Sequence, residues 1–262
     1  MCLLIIAHHA SEQFPLLVAA NRDEFHDRPT RQSMFWPQHP DLLAGQDIRL
    51  GGTWMGCTRA GKFAAVTNYR DPARSAEAPR SRGELPLDFL LGQLQPEHYL
   101  EQVQKRSHEY AGFNLLLGDA RRLWYFSNSV SGDGVNPQDP RPLQPGVYGL
   151  SNAQLDTPWP KVELGKKRMR ELLSDGNRVE HDTLLTLVNS SELADINSLQ
   201  QTGMNSEMEL LLSSQFIQSK TYGTRSSTTV WLDNAGSASW RELSFDPAGK
   251  TTLSKREDFR YI

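Results

Sequence analysis

Two apolar runs near the start of the chain, separated only by a short polar turn, restrict its fold more than any other feature. Leu3-Leu4-Ile5-Ile6-Ala7 ends at His8-His9. Then come Ser11-Glu12-Gln13 and Phe14-Pro15-Leu16-Leu17-Val18-Ala19-Ala20. Neither run alternates apolar with polar residues, as a strand with one wet face does. Both are short and partly β-branched, so they read as a hairpin buried on both faces. A sheet covered on both faces must lie between two layers.

The rest of the chain supplies those layers. Strands are expected at 53–58 and 62–67 around the turn Arg59-Ala60-Gly61, then at 113–117, 123–126 and 147–150. More follow at 224–233 and 239–245, with a last short one near 259–261. Helices are expected over 84–92, 96–110, 159–173, 181–189 and around 208–212, with Thr157 as a cap before Pro158. Residues 28–52, rich in Pro and Gly, read as irregular. So do the loops 71–82 and 132–145. Strand and helix blocks alternate and most adjacent strands meet at tight turns. The order predicts an α+β fold, a layered sandwich of antiparallel sheets forming one domain over 1–262.

Composition closes off several function classes. The formal charge is −3 and the basic residues are dispersed, so no nucleic-acid footprint is expected. The two cysteines, Cys2 and Cys57, form no disulfide framework, no CxxC pair and no metal motif. The first apolar run is too short to span a membrane and lacks a basic flank, which predicts no transmembrane segment and a cytoplasmic chain.

Cys2 carries the chemistry. A small second residue lets Met1 be trimmed, leaving a mature chain that begins with Cys2. The thiol is then a nucleophile, and its own α-amine, with a pKa of about 8, is the base beside it. On position alone, Cys2 reads more simply as a small buried hydrophobe, the usual fate of a free cysteine. Asn21-Arg22-Asp23-Glu24, at the end of the second run, reads either as functional groups on a strand-end loop or as a solvated turn with local ion pairs. Asn68 also sits just past a buried strand. Cys57, inside a strand, reads as an inert thiol, and Trp54, Trp124 and Trp159 as core or cleft-wall aromatics.

These residues together resemble the NRDE family, also called the transport and Golgi organisation protein 2 family. The resemblance rests on Met1-Cys2, Asn21-Arg22-Asp23-Glu24, Gly51-Gly52-Thr53-Trp54, Thr67-Asn68-Tyr69 and Arg82-Gly83-Glu84-Leu85. It continues through Gly112-Phe113-Asn114-Leu115, Tyr148-Gly149-Leu150-Ser151-Asn152-Ala153, Thr157-Pro158-Trp159 and Tyr222-Gly223-Thr224-Arg225. That family is in turn similar to the cysteine N-terminal-nucleophile hydrolases, which implies a four-layer αββα sandwich. The resemblance implies Cys2 as nucleophile and Arg22 and Asp23 as the pair steadying its amine and thiol. It also implies Asn68 in the oxyanion hole, and Asn21, Asn152 and Arg225 as substrate-binding groups. One departure stands out. The Arg and Asp of those hydrolases are two residues apart, whereas Arg22 and Asp23 are adjacent and should face opposite sides of a regular strand. Three arrangements are open: a bend that turns Asp23 toward Cys2, which is preferred, or an inward pair of Asn21 with Asp23, or of Arg22 with Glu24.

Two functions follow from the resemblance. One is hydrolysis or acyl transfer at a non-peptide amide bond of a small or lipid-like substrate, with no cofactor and no metal required. The other is a non-catalytic carrier that binds haem in the same cleft. His8, His9 and His26 are candidate haem ligands, although a histidine in such positions more often makes ordinary hydrogen bonds. The absence of a CxxCH motif excludes covalent c-type haem.

Overall fold

A computed structural model describes residues 2–70, 78–129, 139–175, 178–199 and 205–261. Met1, residues 71–77 of the loop after Asn68, residues 132–138 of the loop expected at 132–145, and residues 200–204 lie outside this description.

The two apolar runs form the hairpin β1 (Cys2–His8) and β2 (Leu16–Phe25), antiparallel with Cys2 opposite Arg22 and His8 opposite Leu16. Every residue of β1 is buried. Odd and even positions supply two different cores, as a period of two requires. Leu4, Ile6, Val18 and Ala20 enter one core with Met55, Phe63 and Leu116. Leu3, Ile5, Leu17 and Ala19 enter another with Val162, Met169 and Leu184.

The hairpin sits in a six-stranded sheet ordered β10-β1-β2-β11-β12-β13. Its other members are β10 (Gly146–Leu150), β11 (Tyr222–Leu232), β12 (Ser237–Phe245) and β13 (Thr251–Arg260). A second sheet runs from β3 to β9 in sequence order. It contains β3 (Thr30–Trp36), β4 (His39–Asp47), β5 (Met55–Thr58) and β6 (Lys62–Asn68), then β7 (Phe113–Asp119), β8 (Leu123–Ser127) and β9 (Arg141–Pro142). All pairings within both sheets are antiparallel.

Helices α1 (Glu84–Leu91) and α2 (Pro96–Lys105) cover the outer face of the second sheet through Leu85, Phe89, Leu100 and Val103. Helices α3 (Pro160–Ser174) and α4 (His181–Leu185) cover the first, with the short α5 (Ser206–Leu211) nearby in the chain. Three apolar cores therefore separate four layers, αββα, the layered sandwich that the sequence pattern predicts in the form that the family resemblance implies.

Several elements differ from expectation. Residues 30–47, read as irregular, form the β3–β4 hairpin. Two register shifts and the prolines at 37 and 40 break its pattern, which hid it. The strand near 259–261 is the end of the ten-residue β13, whose residues at the sheet edge are mostly exposed. Thr157 does not cap α3. Its Oγ donates to Gln154 O at 2.8 Å, and the helix begins at Pro160, where a proline fits the first turn.

Candidate active site

Asn21-Arg22-Asp23-Glu24 lies inside β2, not on a loop after it, because β11 pairs with β2 as far as Phe25. β1 begins at Cys2, so Arg22 is the last residue of β2 that it pairs with in the described chain. Past that point β2 pairs with β11 alone among the described residues. β11 slips register between Thr224 and Ser226, leaving Arg225 as the extra residue of a bulge opposite Arg22 and Asp23. Arg22 and Asp23 both line the cleft, and the irregularity beside them is this bulge in β11.

A cleft of about 710 Å³ opens there, with Cys2, Arg22, Asp23 and Asn68 all on its wall. Cys2 is 8% exposed. Arg22, directly across from it, donates from Nη1 to Thr30 Oγ1 at 3.2 Å and lies 3.6 Å from Glu24. Asp23 accepts from Thr224 Oγ1 at 2.7 Å, while its carbonyl accepts from Tyr222 Oη at 3.0 Å. Burial pushes the Cys2 thiol above its ordinary value, Asp23 adds to that, and Arg22 opposes it. Burial also raises Asp23, against Lys161 and the Thr224 hydrogen bond.

The facing wall comes from the second sheet. Asn68 ends β6 and is exposed. Among the described residues its side-chain amide makes no hydrogen bond, which leaves its N–H donors open to the cleft. Its carbonyl accepts from Asn152 Nδ2 at 2.9 Å, and Ser151 Oγ donates to the Cys2 carbonyl at 2.9 Å. The Ser151-Asn152 pair therefore ties the backbones of Cys2 and Asn68 together across the two sheets. Asn152 is 1% exposed and does not line the cleft.

Two other expected substrate groups also sit away from it. Asn21 donates to Val188 O and Gln215 O at 2.7 and 2.8 Å and accepts from Ser227 Oγ at 2.6 Å, bracing β2 against the segments around 188 and 215. Arg225 donates to the carbonyls of Phe25, His26 and Arg28, holding the turn after β2.

Sequence reasoning passed over Arg82 and the Arg28–Asp47 pair, both on the cleft wall. Arg28 and Asp47 approach to 2.5 Å. Arg82 arrives through close backbone packing. A Cβ on Gly52 would lie 2.6 Å from the Gly83 carbonyl carbon, and Thr53 N donates to Gly83 O at 3.0 Å. Two glycine-containing motifs meet because neither has a side chain at the contact. Gly52 and Gly83 were the available signal.

Candidate haem or metal ligands fare less well. His26 contacts Ser219 O through Nε2 at 3.1 Å, and neither it nor another histidine lines the cleft. His8 and His9 are at the far end of β1 from Cys2, about 20 Å away at strand rise. Among the described residues no three His, Cys, Asp or Glu side chains group as metal ligands, and no helix is long and apolar enough to cross a membrane.

The family model described as Transport and Golgi organisation 2 matches residues 1–247. The chain belongs to this family. The mouse Transport and Golgi organization 2 homolog is 35% identical over 248 residues, covering 88% of this chain and 87% of the mouse protein. The human Transport and Golgi organization protein 2 homolog is 34% identical over 246 residues, with the same two coverages. Among solved structures, the chain resembles a Caenorhabditis elegans N-acylethanolamine-hydrolyzing acid amidase ortholog. The TM-score is 0.42 at 9% identity, over 87% of this chain and 92% of that one. It also resembles the C2A mutant of a conjugated bile acid hydrolase from Clostridium perfringens, with a TM-score of 0.45 at 10% identity, over 98% and 92%.

Proposed function

We propose that this chain is an N-terminal cysteine amidohydrolase acting on a non-peptide amide bond of a small or lipid-like substrate. The observation that carries the reading is that Cys2, Arg22, Asp23 and the open amide of Asn68 border a single cleft. Once Met1 is removed, the α-amine of Cys2 takes the thiol proton and the sulfur attacks the amide carbonyl. A C–S bond forms, and the Asn68 N–H donates to the oxygen that gains charge, a contribution of about 3 kcal/mol where such donors have been removed elsewhere. The proton passes to the amide nitrogen, the C–N bond breaks and the amine leaves. Water then cleaves the thioester to the acid, or another amine takes the acyl group. Arg22 and Asp23 orient and balance the charge of the terminus.

Burial raises the Cys2 thiol, so the reading requires the α-amine freed by loss of Met1 to bring it down. Intact mass spectrometry of the N-terminus, together with Cys2 alkylation against pH, tests this. Loss of Met1 and a Cys2 thiol titrating below 8.5 are expected. A retained Met1, or a thiol titrating no lower than a free cysteine, overturns the reading.

A haem carrier is the second reading, favoured by the arginines on the cleft wall, which suit propionate groups. Of the residue types that ligate haem iron through sulfur, imidazole or phenolate, only Cys2 is on that wall among the described residues, so the fit is poorer. Haem titration followed by absorbance tests it. No Soret shift at micromolar protein removes it.

A further inference from the structure

The charges along the cleft are not balanced. Five arginines and three carboxylates line it. Arg28 is matched by Asp47, Arg80 by Glu84 and Glu109, and Arg22 by Glu24, while Arg49 forms no ion pair among the described residues but is exposed to water. Arg82 is half-buried and, among the described residues, forms no ion pair. A desolvated guanidinium without an anion is costly, and burial indeed lowers its affinity for its proton.

Its position is fixed. Nη1 donates to Gly112 O at 3.0 Å, and the same carbonyl accepts from Tyr69 N at 2.9 Å. Arg82 is thus pinned one residue from Asn68, with most of its five N–H donors unused by Gly112. Phe25 and Leu50, also on the cleft wall, stand 55% and 57% exposed.

We infer that Arg82 binds a carboxylate on the amine side of the scissile bond, so that the substrates are N-acyl amino acids whose acyl chain lies along Phe25 and Leu50. This rests on the hydrolase reading for the placement of Cys2 and Asn68. With the carbonyl oxygen on Asn68, an α-carboxylate lies two bonds from the amide nitrogen, within reach of a guanidinium anchored beside Asn68. The pairing is two-pronged, which an ammonium does not reproduce.

The test separates binding from turnover. Calorimetry on Cys2→Ala protein compares decanoylglycine with decanoyl ethanolamide, which has the same chain and no carboxylate. A preference of at least tenfold for decanoylglycine is expected. Arg82→Met should abolish it and Arg82→Lys should keep a small part. Because Arg82→Met also removes the Gly112 contact, Arg82→Lys and the salt dependence of the preference are read alongside. Equal affinities, or a preference that survives Arg82→Met, overturn the inference. Wild-type turnover of both probes at equal kcat/KM overturns it while leaving the hydrolase reading standing. Preferential binding without turnover supports Arg82 and sinks the hydrolase reading instead.

Discussion

Two groups of chemically capable side chains, one on the first sheet and one between the two sheets, differ in what is left over. In one, His181 is held between Thr229 Oγ1 at 2.7 Å and Ser239 Oγ at 2.8 Å and stacks on Trp231 with ring centroids 4.0 Å apart. Ser239 in turn donates to Asp258. A histidine, a serine and an aspartate stand in line, yet both ring nitrogens are used, and His181 and Ser239 are each 3% exposed. In the other, Cys2, Arg22, Asp23 and Asn68 surround open space and Asn68 keeps free donors. The first arrangement ties α4 to β11 and β12. The second can still receive a ligand. Residue type alone does not separate them. Unspent hydrogen-bonding capacity facing a cleft does.

Substituting each centre should break the pair apart most sharply. Cys2→Ala is expected to lower amide hydrolysis by at least about a thousandfold, with unfolding free energy changed by no more than about 1 kcal/mol. His181→Ala should do the reverse. It strands two buried hydroxyls and empties a stacked site, costing about 3 kcal/mol in denaturant melts while Cys2 alkylation kinetics stay unchanged. A His181→Ala protein of full stability but lost activity would invert the assignment.

Acid should find the closed centre first. Burial, reinforced by Arg256 and Arg241 against Asp258 and Asp182, lowers His181 to about 4. Burial and His9 lower His8 to about 4 as well. Both are neutral when folded and protonate near 6.5 when unfolded, so the unfolded chain binds more protons between those values. Their stabilisation is complete above pH 6.5 and is lost as pH falls toward 4, by about 2 to 3 kcal/mol for each histidine. Urea midpoints measured from pH 7 to 4 check this, and His181→Ala should flatten part of the slope.

How legible this was in the sequence follows the same division. The β1–β2 hairpin and its two-faced burial were readable because apolar runs report burial directly. The Asn21 to Glu24 stretch was misread as a loop because polar residues usually mark strand ends. Here Asn21 finds its partners in Val188, Gln215 and Ser227, all remote in sequence. Arg82 was missed for a related reason: it reaches the cleft only through the contact of Gly52 with Gly83. The exposed β13 left no apolar signal at most of its positions.

Asn152 gives the smallest effect and the finest probe, because it belongs to neither group outright. It is as buried as the residues around His181, yet its amide donates to Asn68 O while Ser151 beside it donates to Cys2 O. Asn152→Ala leaves a carbonyl at the cleft edge without its donor, at a cost of about 1 to 2 kcal/mol. A bracing role alone would stop there. If the Ser151-Asn152 bridge sets the spacing between thiol and oxyanion donor, kcat should fall about tenfold with KM nearly unchanged, since Asn68 acts on charge that develops after binding. Loss of stability with kcat intact would move Asn152 into the company of His181 and confine the cleft to the residues that line it.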